Sequence, residues 1–227
     1  MNPPSANGNG ARKAVLDWLI INNEQRNVRC VGSQPSTGTG GGFGYTVPLA
    51  HEGHPGWTST QLLGLVTGGG LNYPQGKPHV VMVMAGANDF GAGLSPAQVY
   101  ANLTALVDAV LAVDPGLVVV LCENVLMSSY KSSTLTNRSR QAQELNSMLP
   151  DLVAARGDRV VLAKTSLLDQ QDLATGGVHP NDAGYQRMGY ILYHSLRPWF
   201  GAQGKYLVPV KHPWAPGPDP MKLGAES

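Results

Sequence analysis

Neither sign of charge prevails in this chain. Sixteen Lys and Arg stand against fifteen Asp and Glu, a net charge of +1, and charged residues are only 14% of the whole. That balance leaves no basic stripe for nucleic acid or for an anionic lipid surface. No apolar run approaches the roughly eighteen residues that a membrane span requires. The opening Met1-Asn2-Pro3-Pro4-Ser5 has no basic stretch followed by an apolar one, so no signal peptide is expected in the chain. Two cysteines, Cys30 and Cys122, are too few to argue a redox compartment. No internal repeat is visible.

What remains is an ordinary globular composition. At 227 residues with 42% hydrophobic content, the chain is long enough for one α/β domain with a single buried core. We place that domain at residues 1–200. Residues 201–227 read as a surface arm or tail, because prolines crowd them at 209, 213, 216, 218 and 220.

Helical and strand-like patterns alternate along the chain. Residues 11–22 carry Val15, Trp18 and Leu19 at helical spacing. Residues 28–33 read as a short strand and 34–50 as a flexible Gly/Ser/Thr/Pro-rich loop. Residues 58–65 form a short helix. The run Val80-Val81-Met82-Val83-Met84 has no alternation, as expected of a strand buried on both faces of a parallel sheet. Ser95 caps a long helix through Val113. A second buried strand covers 117–121, a helix 141–155, a strand 159–163, and a last helix capped by Asn181 covers 181–196. Strands separated by helices imply βαβ units in a doubly wound sheet.

In such sheets ligands bind beyond the carboxyl ends of the strands. Three loops with unusual residues fall in suitable places. They are the stretch His51-Glu52-Gly53-His54-Pro55-Gly56-Trp57-Thr58-Ser59, the turn Gly86-Ala87-Asn88-Asp89, and Gly176-Gly177-Val178-His179-Pro180-Asn181-Asp182. A histidine opening a helix and an asparagine closing a buried strand suit ester hydrolysis by a histidine base with an amide donor at the oxyanion.

Each residue also has a plainer reading. Asn88 taken alone is a turn cap, Asp89 a structural hydrogen-bonding partner, and Asp182 a first-turn acid on a helix dipole. His51 and His54 have no third metal ligand in view, so no metal is expected and the loop reads as substrate-side. Trp57 stacks on a sugar or simply packs. The glycines at 38, 40, 41, 42 and 44 nowhere satisfy Gly-x-Gly-x-x-Gly, which argues against a phosphate loop.

The segments Gly8-Asn9-Gly10, Val31-Gly32-Ser33-Gln34, residues 52–58, Gly86-Ala87-Asn88-Asp89 and His179–Tyr185 together resemble the SGNH hydrolases, the GDSL-type esterase superfamily. The chain is most similar to the secreted carbohydrate esterases of family three, whose known members deacetylate xylan. The resemblance spans residues 8–195, with the motifs in family order. It implies a flavodoxin-like three-layer sandwich with strand order 2-1-3-4-5. It also implies His179 as the acid/base, and Asn88 and the Gly56 N–H as oxyanion donors. It implies no cofactor, a small-molecule or polysaccharide ester as substrate, no nucleic-acid or membrane partner, and a monomer. The sequons at Asn102 and Asn137 are permissive for secretion of the full-length parent. In the implied order, the strands holding Cys30 and Cys122 are not neighbours. At roughly 4.8 Å per strand, their Cα atoms would lie about 10 Å or more apart, so both thiols are expected free.

The chain departs from the family pattern twice. The family's first strand ends in Gly-Asp-Ser with the nucleophile, yet only seven residues precede Gly8 here. Ser5 is the sole serine among them, too near the start to follow a central strand. The family's acid stands three residues before the histidine, where this chain has Gly176; Asp172 or a backbone carbonyl is left to hold the imidazole. The first strand therefore reads as missing, and we expect an N-terminally truncated version of a longer protein. Tyr206-Leu207-Val208-Pro209-Val210 is a poor substitute, because Pro209 cannot donate to a central ladder. A catalytically inactive relative that binds glycans or a partner is the alternative reading of the same departures.

Overall fold

In the computed structural model, the described residues are 10–21, 28–39, 46–126 and 133–202. Ser5, Gly8, Asn9 and the stretch 203–227, with its Tyr206–Val210 segment, lie outside them.

The centre is a parallel sheet in the order β3-β4-β5, made of β3 (Val80–Val83), β4 (Val118–Cys122) and β5 (Val160–Ala163). Val80 pairs with Val118, and Val119 with Val160. β4 is buried along its whole length and shows why a continuous apolar run is needed there. Side chains alternate across a strand, so Val119 and Leu121 enter one core while Val120 and Cys122 enter the other.

Helices cover both faces. On the first lie α2 (Ser59–Thr67), α4 (Pro96–Ala112) and α5 (Ser133–Ala154), which contribute Val66, Val99, Leu103, Leu106, Leu145 and Leu149. On the second lie α1 (Gly10–Ile21) and α6 (Asp182–Ala202), with Val15, Leu19, Met188 and Ile191. These two helices pack closely: a Cβ at Gly189 would collide with Ala14, so only glycine fits. Trp18 of α1 sits edge-on to Tyr190 of α6 at 4.8 Å between ring centroids. The architecture is the expected α/β three-layer sandwich. No helix among the described residues is long and apolar enough to cross a membrane.

Helix starts follow the side chains that satisfy their first amides. Thr58 with Gln61 and Ser95 with Gln98 form capping boxes on α2 and α4. Asn181 Oδ1 accepts from Gly184 N at 2.9 Å, the expected cap of α6.

Four expectations need correction. Residues 28–33 form no ladder; a chain segment becomes a strand only by pairing, and Gln34 alone bridges to His51. The Gly-rich stretch is not simply loop, because β1 (Thr37–Thr39) and β2 (Thr46–Pro48) pair antiparallel within it. The turn after β3 is a short helix, α3 (Ala87–Gly91). α5 begins two turns earlier than expected, over the polar stretch 133–140, which has no apolar stripe to announce it. Cys30 and Cys122 are free, as expected.

Candidate active site

Because β3, β4 and β5 run parallel, their carboxyl ends open on one edge of the sheet. The segments after them carry Asn88, then Glu123 and Asn124, then the loop to His179.

Asn88 lies in the first turn of α3. The step from strand to helix is made at Gly86, whose φ of 115° is a left-handed conformation that side chains avoid. A Cβ there would also press on Asn124 Nδ2, Val99 and Leu145. Asn124 Nδ2 donates to the Ala85 carbonyl at 3.0 Å, and Asn146 brackets the Asn124 backbone with two bonds of 2.8 Å. These buried asparagines position the end of β3. Sequence reading passed over both, although Asn146 interrupts the apolar stripe of its helix and so signals a buried polar role.

Asn88 and the Gly56–Trp57 loop are brought together. Asn88 Nδ2 donates to the Trp57 carbonyl at 2.8 Å. The amide nitrogen carries two hydrogens, so this bond fixes the side chain and leaves one N–H to offer. Gly56, one residue earlier, is exposed and has φ 80°. The neighbouring Asp89 is fully buried and accepts from Ser59 N at 2.9 Å and from Ser59 Oγ. It thus binds the first turn of α3 to the first residue of α2, the structural role expected of it.

The His51–Trp57 loop is held from below. Glu52 accepts from Ser33 N at 2.9 Å, from Ser33 Oγ at 2.7 Å and pairs with His54 Nε2 at 2.8 Å. Burial would push the Glu52 carboxyl up, but bonds from Ser33, His54 and Tyr73 outweigh it and hold it below its usual range. The His54 ring stacks on Trp57 at 3.9 Å between centroids. His51 Nδ1 accepts from Gly53 N at 3.0 Å. Its imidazole is pulled down to about 4, first by burial and then by the nearby Arg12 cation. The two histidines thus shape the loop. Among the described residues no group of His, Cys, Asp or Glu comes together as a metal-binding set.

His179 closes a loop stitched to the segment before it. Leu173 bridges Pro180, Ala174 N donates to the His179 carbonyl at 2.8 Å, and Asn181 N to the Asp172 carbonyl at 2.8 Å. The side chain is half-buried, and its Nδ1 is buried with no hydrogen-bond partner among the described residues. Asp172 is not that partner. Its carboxylate is committed to Arg187 of α6 at 2.7 Å and to Asp169 N at 3.0 Å. Gly176, with φ 115°, is exposed and offers no side chain. The hydroxyls of Ser33, Ser59 and Ser166 are each held by a carboxylate, Glu52, Asp89 and Glu123 respectively.

A family model of GDSL-like lipase/acylhydrolases matches residues 32–187, more than half of the chain. The chain belongs to that family. No curated protein matches it by sequence. Among solved structures it is similar in fold to an acetyl esterase mutant with acetate ion, at 21% identity and TM-score 0.71, covering 86% of this chain and 92% of that one. A carbohydrate esterase of family 3 from Talaromyces cellulolyticus gives 20% identity and TM-score 0.68, covering 85% and 92%. A family 3 carbohydrate esterase from Clostridium thermocellum gives 23% and 0.68, covering 86% and 89%. The GDSL-like family is one of ester-cleaving acylhydrolases, and the loops holding Gly56, Asn88 and His179 lie within the matched residues.

Proposed function

We propose that the chain carries the acyl-transfer machinery of a serine-type carboxylic ester hydrolase acting on small acyl groups, acetyl first, of carbohydrate esters. The observation that carries the reading is the Asn88 amide, fixed on the Trp57 carbonyl at the carboxyl end of β3 with one N–H left to give. In this reading that N–H and the Gly56 amide meet the carbonyl oxygen as negative charge develops on it. A serine hydroxyl other than those of Ser33, Ser59 and Ser166, which carboxylates hold, adds to the carbonyl carbon and passes its proton to His179. The histidine returns that proton to the departing alcohol, and water repeats the sequence to release the acid. The acetyl and carbohydrate assignment draws on the acetyl esterase and the family 3 carbohydrate esterases that share the fold.

A second reading has its own support. Among the described residues His179 Nδ1 meets no acid, and Asp172 is taken by Arg187, which suits an inactive relative that binds glycans. Labelling with a fluorophosphonate separates the two. The hydrolase reading predicts one modified serine in a peptide map and loss of that label in His179→Ala. Absence of label, with saturable binding of acetylated xylo-oligosaccharides, selects the second reading.

A further inference from the structure

The Asn88 amide is aligned on the Trp57 carbonyl, so whatever fixes that carbonyl also fixes the amide. His54-Pro55-Gly56-Trp57 is a turn closed by Trp57 N donating to the His54 carbonyl at 3.3 Å. Proline in its second position and Gly56 with φ 80° in its third are the pattern of a type II turn. A bond of 3.3 Å is longer than the usual N–H···O range, so the backbone alone closes the turn loosely.

A second tie joins the same two residues through their side chains. The His54 and Trp57 rings lie 3.9 Å apart between centroids and 15° from parallel. Turning either ring about its side-chain torsions would lift it off the other. His54 Nε2 is in turn 2.8 Å from Glu52 Oε1, and Glu52 is tied to Ser33 by two bonds. An ionised carboxylate has no hydrogen to give, so Nε2 carries the one between them. Histidine thus lies flat on Trp57 and donates to Glu52 at once. Phenylalanine could only do the first, and glutamine only the second.

The peptide that bears the Trp57 carbonyl continues into Thr58 N, which donates to Gln61 Oε1 at 2.9 Å in the cap of α2. The carbonyl is therefore gripped from one side by the cap and from the other by the stacked rings.

We propose that His54 is a positioning residue for the Asn88 amide: its ring, held by Glu52 and stacked on Trp57, sets the carbonyl on which that amide is aligned. What the amide is aligned for rests on the esterase reading; that His54 aligns it does not. His54 acts through Trp57, keeping the oxyanion donor in place before charge develops on the ester.

The test is exchange spectroscopy on the full 15N-labelled chain, reading how fast the two side-chain amide hydrogens of Asn88 swap places. Their signals are identified by their loss in Asn88→Asp. A swap requires the bond to the Trp57 carbonyl to break. His54→Gln keeps the partner of Glu52 and removes the stack. It is expected to speed the swap on the order of tenfold, the size of one aromatic pair. His54→Phe keeps the stack and is expected to stay within about twofold of wild type. Trp57→Leu keeps the carbonyl and removes the other ring, so it matches His54→Gln, and combining the two adds nothing. For an acetyl ester, kcat falls on the order of tenfold in His54→Gln, with KM unchanged, and recovers in His54→Phe. A wild-type swap rate in His54→Gln overturns the proposal, as does His54→Phe swapping as fast as His54→Gln. Additive effects of His54→Gln and Trp57→Leu overturn it too, as does a faster swap with kcat unmoved. A chain that hydrolyses no ester overturns the esterase reading, while the swap rates still decide the role of His54.

Discussion

Asn88 has one donor committed to the Trp57 carbonyl, and that commitment is what gives the other donor a direction. Replacing Asn88 with Ala removes both. In the esterase reading kcat/KM for an acetyl ester falls on the order of a hundredfold, about 3 kcal/mol, with KM little changed, because the bond forms only as charge develops. His51 makes a prediction about stability instead. Burial, then Arg12, lowers its pKa from 6.5 to about 4 in the folded chain. Between those values the unfolded chain binds a proton that the folded one refuses. Its contribution is complete above about 6.5 and declines as the pH falls towards 4. Protonating Nδ1 would also break its bond from Gly53 N. Thermal midpoints measured between pH 7 and 4 therefore fall, and His51→Gln flattens that slope.

At the scale of elements, the short helix α3 and the start of α2 are one unit joined by Asp89. Asp89→Ala strips the buried Ser59 amide and hydroxyl of their acceptor. We expect a loss of about 2 kcal/mol in urea unfolding, the cost of buried donors left unsatisfied. The two strands at the sheet centre and edge respond differently. Leu121→Ala, at 0% exposure in β4, is expected to cost about 3 kcal/mol. Met82→Lys in β3 is expected to cost almost nothing, because that side chain already meets solvent. Equal losses at the two positions would mean that the β3 edge is covered in solution.

Across the whole molecule, what could be read in advance was what short-range chemistry determines. The continuous apolar runs of β3 and β4, the caps Ser95 and Asn181, and the loops bearing Asn88 and His179 each announce themselves within a few residues. The segment 28–33 was over-read, because apolar character alone does not make a strand without a partner to pair with. β1 and β2 were missed, because Thr and Gly in a glycine-rich stretch carry no pattern and the pairing is settled by chain geometry. Gly56, Asn88 and His179 of the candidate site stand in motifs that the sequence displays, as does Glu52, but its bond to Ser33 across 19 residues does not show there. Asn124 and Asn146 carry no local signal of their bonds, which reach Ala85 and each other across 39 and 22 residues. Asp172, one of the two candidates left to hold His179, bonds instead to Arg187, 15 residues further on, a partner that no local pattern announces.

The most direct measurement is p-nitrophenyl acetate hydrolysis by the purified chain beside its His179→Ala variant, both corrected for the weak cleavage that exposed histidines give. The account predicts a rate well above that background which collapses in the variant. Equal, near-background rates in the two proteins would contradict it and leave the inactive, glycan-binding reading in its place.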